Sequence, residues 1–143
     1  VYKADVILKI EPPTVEEIEM MKPGQALISA IQLGHLKPDY LHALLKKKVT
    51  GLAYEFIEDK VGGMPIIRAM SEIAGSTVML IAAEYLSTAN NGKGVILGGI
   101  TGVPPTKVVI VGAGTVAEYA ARAAIGLGAE VQIFDNHLYK LRR

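Results

Sequence analysis

The sequence predicts an α/β fold with parallel sheets, and two features of the sequence support this prediction. Short runs of β-branched and aliphatic residues alternate along the chain with stretches of helical periodicity. Half of the 143 residues are apolar and a fifth are charged, so the chain can bury a core and is not expected to be disordered. Because successive strands are separated by helices, right-handed crossovers and parallel pairing are favoured.

The first part of the chain reads as three strands separated by two helices. Thr14 and Glu17 have the spacing of a capping box, which predicts a short helix after Thr14. Asp39 begins a second helix, whose end carries the lysine run 46–48 as a solvated last turn. The predicted strands are 4–10, 25–31 and 50–56, and the predicted buried stripe of the second helix is Leu41, Leu44 and Leu45.

A long apolar helix is predicted next. Residues 65–67 read as a short extended piece, and Ser71 is predicted to cap a helix over 72–86. This helix is apolar nearly all round, which is typical of a helix buried between layers, domains or subunits. Its most apolar run, 78–83, is far shorter than a membrane span. The stretch 90–106 holds five glycines and two prolines and marks a boundary.

The last part of the chain carries a strand, a glycine turn, a helix, a second strand and an acid. Residues 108–111 predict a fully buried strand, and Gly112 and Gly114 allow the tight turn that follows it. Ala117 holds the third, small position of a dinucleotide-binding fingerprint. Asp135 ends the second strand about 20 residues beyond the glycines, where a carboxylate can accept hydrogen bonds from an adenosine ribose. The unit therefore predicts dinucleotide binding, and a plain βαβ unit with a glycine-rich turn is the alternative.

The helix of this unit is predicted to end at Gly126 and Gly128. Its predicted packing stripe is Val116, Ala120, Ala123, Ala124 and Leu127.

Composition disfavours several other classes of function. The formal charge of +1 argues against nucleic acid or an anionic membrane as a main partner. The absence of cysteine removes disulfides, thiolate metal sites and a cysteine nucleophile, and no histidine pair has metal-ligand spacing. No signal-peptide pattern is visible, so a cytoplasmic protein is expected. Because the chain lacks an initial Met and stops soon after its last strand, we expect it to be a piece of a longer polypeptide.

Three segments resemble the family of alanine dehydrogenases and nicotinamide nucleotide transhydrogenase α-subunits: Met70–Gly75 (MSEIAG), Gly98–Pro105 (GGITGVPP) and Val109–Gly114 (VIVGAG). The resemblance implies two Rossmann-like lobes with parallel sheets, both incomplete in a chain of this extent. It implies a substrate-side lobe over 1–70, a helix and Gly/Pro-rich junction over 71–106, and the start of an NAD-binding domain over 107–143.

The resemblance also implies an activity and a set of cofactor contacts. Dehydrogenase members oxidatively deaminate L-alanine to pyruvate and ammonia with NAD, usually as homo-oligomers. Ser71 would face the cofactor from a helix N-terminus, Lys140 would lie by the adenine end, and Asp135 would favour NAD by repelling a 2′-phosphate. The positions assigned to cofactor binding are Ser71, Gly112, Ala113, Gly114, Val116, Asp135 and Lys140.

The sequence departs from the family pattern at the positions that bind and act on substrate. Glu11 stands where the dehydrogenases carry a substrate-binding lysine, and Gln32 stands where they carry a histidine that acts on the substrate carbonyl. Lys9 could substitute for the lysine if it reaches the cleft, but pairing with Glu11 is the alternative. His35 could enter the cleft or be a solvent-exposed loop residue. Glu55 matches a family position beside the cleft and could be structural.

The remaining histidines, His42 and His137, are expected at the surface. Three hypotheses therefore remain: an alanine dehydrogenase-like enzyme, a transhydrogenase-like NAD(H)-binding component in which hydride passes directly between two nicotinamides, and a non-catalytic NAD-binding or oligomer-forming protein.

Overall fold

A computed structural model describes residues 1–32, 34 and 38–142 of the chain. It divides into two compact units, Val1–Ile67 and Arg68–Arg143. Both units combine helices with a small sheet of parallel strands. The predicted α/β class with parallel sheets is confirmed.

The first unit is a three-stranded parallel sheet with two helices. The strands are β1 (Val6–Leu8), β2 (Ala26–Ser29) and β3 (Thr50–Ala53), in the spatial order β1-β2-β3. The helices α1 (Val15–Glu19) and α2 (Pro38–Lys46) form the crossovers. The buried core of the unit is Ile7, Ile18, Met21, Leu27, Ile31 and Tyr40.

The capping box of α1 is confirmed. The Thr14 backbone N–H donates to the Glu17 carboxylate at 2.7 Å, and the Glu17 N–H donates to the Thr14 hydroxyl at 3.2 Å. At the other end of α1, the Lys47 ammonium donates to the carbonyl oxygen of Met21 at 3.0 Å. Lys47 thus ties the segment after α2 to the end of α1, whereas the sequence predicted a solvated lysine run.

The predicted buried stripe of α2 is wrong at Leu41 and Leu45 and holds in part at Leu44. Leu45 is 72% exposed and Leu41 is also exposed, whereas Tyr40 is buried in the core and Leu44 is partly buried beside it. The reason is the large Tyr40 ring, which buries more apolar area than a leucine and so turns the helix face that it lies on inward.

The second unit contains the strands β4 (Lys107–Val111) and β5 (Glu130–Phe134), which pair in parallel. The helix α4 (Thr115–Gly126) lies between them in the sequence. The prediction that 108–111 is fully buried is wrong. Val108 and Ile110 pack into the core, but Val111 is 87% exposed and Val109 is exposed on the opposite face. A run of apolar residues is buried on both faces only if both are covered, and among the described residues nothing covers the second face of this two-stranded sheet.

The long helix α3 spans Pro65–Leu86, so it begins six residues before the predicted cap. The extended piece predicted at 65–67 is instead its first turn, where proline fits because the missing N–H needs no partner. Within the described chain its buried residues are Gly75 and Met79, and the expected burial of the helix between domains or against another subunit stays a prediction. By length and apolar composition alone, α3 could cross a membrane, and core helices of soluble proteins meet the same criterion.

Candidate functional site

The turn between β4 and α4 is built around two glycines. Gly112 has φ +102°, a backbone conformation that side-chain-bearing residues rarely adopt, and its N–H donates to the Phe134 carbonyl at 2.6 Å. Gly114 is the N-cap of α4. A Cβ atom added at either glycine would meet no protein atom within 4 Å. The two glycines therefore keep open space in front of a helix N-terminus, whose free N–H groups and dipole favour an anion.

The helix behind this turn is held close by small residues. Ala117 and Ala120 are buried on α4. Gly75 of α3 lies against the α4 backbone, since a Cβ there would be 2.5 Å from the Val116 carbonyl oxygen. The first turn of α4 is thus fixed between the sheet and α3.

Asp135 closes the site from the end of β5. One carboxylate oxygen, Oδ2, accepts the Ala113 N–H at 2.8 Å, and Oδ1 accepts the His137 N–H at 2.7 Å. These hydrogen bonds, that from Ala113 first, hold the pKa of Asp135 below its usual value. The acid is therefore charged at neutral pH and bonded directly to the glycine turn.

Two basic side chains flank Asp135. The His137 Nδ1 lies 3.2 Å from Oδ1, and the Lys140 Nζ lies 3.9 Å from Oδ2. The His137 ring also packs edge-on against Tyr139, with ring centroids 5.6 Å apart. His137 is exposed, as expected, but its contact with Asp135 was not predicted. Asp side chains commonly accept a hydrogen bond from the backbone N–H two residues later. That local pattern could have located the contact between Asp135 and His137.

Six of the seven predicted cofactor residues line two neighbouring cavities of the second unit, and Asp135 is not among the residues that line them. A cleft of about 460 Å³ brings Ser71 together with Gly112, Gly114 and Val116. A second cavity, of about 470 Å³, is lined by Ala113 and Lys140 together with residues of α4. Ser71 is not the helix cap that the sequence predicted, because α3 begins at Pro65 and places Ser71 in its second turn. It faces the cleft from the side of the helix.

The substrate-side positions lie in the first unit, after β1 and β2. Glu11 is exposed in the loop after β1, and the Tyr54 hydroxyl donates to the Ile10 carbonyl in that loop at 2.6 Å. The Lys9 ammonium pairs with the Glu17 carboxylate at 3.1 Å. The alternative prediction, that Lys9 pairs with Glu11, is therefore wrong, because Lys9 pairs with Glu17 of the capping box instead.

Gln32 follows β2 with φ +51° and an exposed side chain. Its N–H and that of Ile31 both donate to Glu55 Oε1, at 2.7 and 2.8 Å. The second oxygen, Oε2, is buried without a partner among the residues described, as is the Tyr40 hydroxyl. Burial, and then the charge of Glu55, raise the pKa of Tyr40.

The end of β3 thus supplies two side chains, Tyr54 and Glu55, that hold the loops after β1 and β2. Sequence reasoning missed Tyr54. The available signal was two adjacent polar side chains at the carboxyl end of a parallel strand, where loops from neighbouring strands meet.

His35 lies outside the described residues, and His42 is exposed on α2. In the ranges 1–32, 34 and 38–142, no group of three or more histidine and acidic side chains is arranged to hold a metal ion.

A parallel strand–glycine turn–helix–strand unit with an acid at the end of its second strand defines a Rossmann-like, nucleotide-binding class of protein. Comparison with known proteins makes the family definite. Residues 1–74 match the model of the N-terminal domain of alanine dehydrogenase/PNT, and residues 78–143 match that of its C-terminal domain. The chain belongs to the alanine dehydrogenase/PNT family.

Individual alanine dehydrogenases are similar to the chain over nearly its whole length. The chain is 43% identical over 138 residues to an alanine dehydrogenase of Methanococcus maripaludis, covering 96% of this chain and 37% of the relative. It is 39% identical to an alanine dehydrogenase of Mycolicibacterium smegmatis, covering 99% of this chain and 38% of the relative. The chain therefore spans less than two fifths of the length of these relatives.

Solved structures show the same fold. An L-alanine dehydrogenase matches with a TM-score of 0.85 and 35% identity, covering 99% of this chain and 39% of the other. A transhydrogenase from Sinorhizobium meliloti matches with a TM-score of 0.79 and 24% identity, covering 99% and 42%. The second likeness shows the fold alone.

Proposed function

We propose that this chain forms part of an NAD-dependent oxidoreductase that transfers hydride between NAD and a small amino acid or 2-oxo acid. L-alanine, converted to pyruvate and ammonia, is the substrate favoured by the names of its relatives. One observation carries the proposal: the Gly112–Gly114 turn opens onto a helix N-terminus, and Asp135 bonds to that turn.

The residues of the turn fit a dinucleotide. The pyrophosphate would lie against Gly112, Ala113, Gly114 and Val116, because added Cβ atoms at the two glycines meet none of the described residues and the N–H groups of the first turn of α4 are free to donate. When bound, the nicotinamide ring supplies the hydride acceptor or donor. Ser71 shares the cleft and would contact the cofactor from the side of α3.

Asp135 would select between cofactors. Its carboxylate has lone pairs beyond the two that accept backbone N–H groups, and these would accept the hydroxyls of the adenosine ribose. A 2′-phosphate would meet the negative charge of Asp135, so NAD is favoured over NADP. Lys140, 3.9 Å from the carboxylate, would lie beside the adenosine.

The residues on the substrate side argue against ordinary alanine dehydrogenase chemistry. A carboxylate at Glu11 repels a carboxylate substrate, and the side chain of Gln32 transfers no proton at neutral pH. Lys9 is held by Glu17 and does not replace the missing lysine in this arrangement. These three residues favour a second candidate function, an NAD-binding protein of this family that does not catalyse alanine oxidation.

Two measurements on the natural full-length protein separate the candidates. NADH formation from L-alanine at alkaline pH, followed by absorbance, supports the enzyme. NADH binding by calorimetry without turnover of any small amino acid supports the second candidate instead. Absence of NADH binding would contradict both.

The substitution Gln32→His provides a matched gain-of-function control. If the enzyme is impaired only at this position, restoring an imidazole should raise turnover, because an imidazole can transfer a proton at neutral pH. NADH affinity should stay unchanged, because Gln32 is not among the proposed cofactor residues.

A further inference from the structure

The charge around Asp135 depends on a side chain that the proposed cofactor site does not use. His137 Nδ1 lies 3.2 Å from Asp135 Oδ1, and the Asp135 side chain is only 6% exposed. The His137 side chain is 50% exposed and rests on Tyr139. The imidazole is thus held against the carboxylate that would bind the ribose, and solvent protons still reach it.

Acceptor positions on Asp135 are limited. A carboxylate offers about four lone-pair positions. The Ala113 N–H occupies one on Oδ2 and the His137 N–H occupies one on Oδ1. A protonated imidazole would occupy the second position on Oδ1, which one of the two ribose hydroxyls needs. A neutral imidazole with its proton on Nδ1 would hold that position by a weaker hydrogen bond, because a bond from a charged donor is the stronger one, and the other neutral tautomer would leave the position free.

The net charge facing the ribose 2′ position also changes with this proton. The charged and titratable groups that contact Asp135 and His137 among the described residues are Lys140 and Tyr139. Asp135 stays ionised because its pKa is held below its usual value. With neutral His137, one negative charge and the Lys140 ammonium face the ribose. With protonated His137, the positive charges exceed the negative one.

We propose that His137 is a selectivity-determining residue of the cofactor site, and that its protonation lowers the preference for NADH over NADPH. This inference rests on the proposed function. The proton weakens the binding of NADH, because it competes with a ribose hydroxyl, and strengthens the binding of NADPH, because it attracts the 2′-phosphate. Both effects lower the ratio of the NADPH dissociation constant to the NADH dissociation constant.

The test measures the dissociation constants of NADH and NADPH for the natural full-length protein at about pH 8.5 and about pH 6. From the higher to the lower pH, the ratio of the NADPH constant to the NADH constant is expected to fall by roughly threefold to fivefold. That range is the upper end for a half-exposed ion pair. Thermal unfolding of each variant verifies that it is folded at both pH values.

Two variants isolate the imidazole. A 2′-phosphate loses its own second proton near pH 6, so His137→Asn reports the part of the change that comes from the cofactor. His137→Asn is expected to show a smaller change than the wild type. His137→Lys, which is charged at both pH values, is expected to show at about pH 8.5 a lower ratio than the wild type at the same pH.

Equal pH dependence in the wild type and His137→Asn would overturn the role of His137 while leaving the proposed function intact. Failure of the wild type and both variants to bind either dinucleotide would contradict the proposed function and this inference together.

Discussion

From the contact of α3 with α4 at Gly75, we predict how much the substitution Gly75→Ala changes the stability of the protein. An added Cβ at Gly75 would lie 2.5 Å from the Val116 carbonyl oxygen and 2.7 Å from the Tyr119 Cβ. Neither of these atoms is the far end of a flexible side chain, so the two helices must separate to admit a methyl group. Gly75→Ala is therefore expected to destabilise the protein although alanine is the better helix former.

The two effects can be compared. Replacing glycine by alanine within a helix favours folding by roughly 0.5–1 kcal/mol. Inserting a methylene into a tightly packed contact costs about 1–3 kcal/mol. Because both contacts would be shorter than 3.0 Å, the upper part of that range, about 2–3 kcal/mol, applies, and subtracting a gain of about 1 kcal/mol leaves an expected net loss of unfolding free energy of about 1–2 kcal/mol. Because Ser71 lies one turn before Gly75, and Val116 lies in the first turn of α4, separation should also widen the proposed cofactor cleft and weaken NADH binding.

Urea titration of the natural full-length protein measures the stability change, and calorimetry measures NADH affinity. The matched control is Gly126→Ala, at the last residue of α4, where an added Cβ meets nothing within 4 Å. That variant is expected to be as stable as the wild type or up to about 1 kcal/mol more stable. A Gly75→Ala protein with wild-type stability, or an equal loss in the control, would refute the packing argument.

Three further outcomes are expected. Thr14→Ala removes the acceptor of the Glu17 N–H and should lower the unfolding free energy in urea by about 0.5–2 kcal/mol; no loss would show that the capping box contributes nothing. Glu55→Ala leaves two backbone N–H groups without their acceptor and should cost about 1–3 kcal/mol in the same assay, and Glu55→Gln, which keeps an amide oxygen, should cost less. The pKa of Asp135 is lowered in the folded protein, chiefly by the Ala113 N–H, so the ionised carboxylate stabilises the fold. This contribution is complete above the ordinary aspartate pKa of about 3.9 and is lost as the pH falls through the lowered value. Thermal scans should therefore show Asp135→Asn less stable than wild type near neutral pH and the two converging in acid; a constant difference would contradict this.

Local sequence signals predicted the parts of the fold that local interactions determine. The Thr14–Glu17 spacing specifies a helix start because both partners lie within one turn. The glycine turn and Asp135 were predictable for a related reason, since backbone conformation and strand order place them at one edge of the sheet. The turn is confirmed, whereas binding of NAD there stays a prediction.

Features that depend on tertiary neighbours were not predictable from the same signals. Ser71 resembles a helix cap in isolation, but the helix begins earlier because Pro65 fits its first position. The burial of Tyr40 and the exposure of Val111 depend on which faces other elements cover. The hydrogen bonds of Glu55 join residues more than 20 positions apart, and no spacing rule for a single strand or helix reaches that distance.

The central claim is that the glycine turn and Asp135 bind the dinucleotide together. Calorimetric titration of NADH into the natural full-length protein and its Asp135→Ala variant tests the claim most directly. We expect the wild type to bind NADH and the variant to bind it about tenfold to a hundredfold more weakly, which is the effect of removing hydrogen bonds to a charged group. Equal affinity in the two proteins would show that Asp135 does not contact the ribose and would contradict the account.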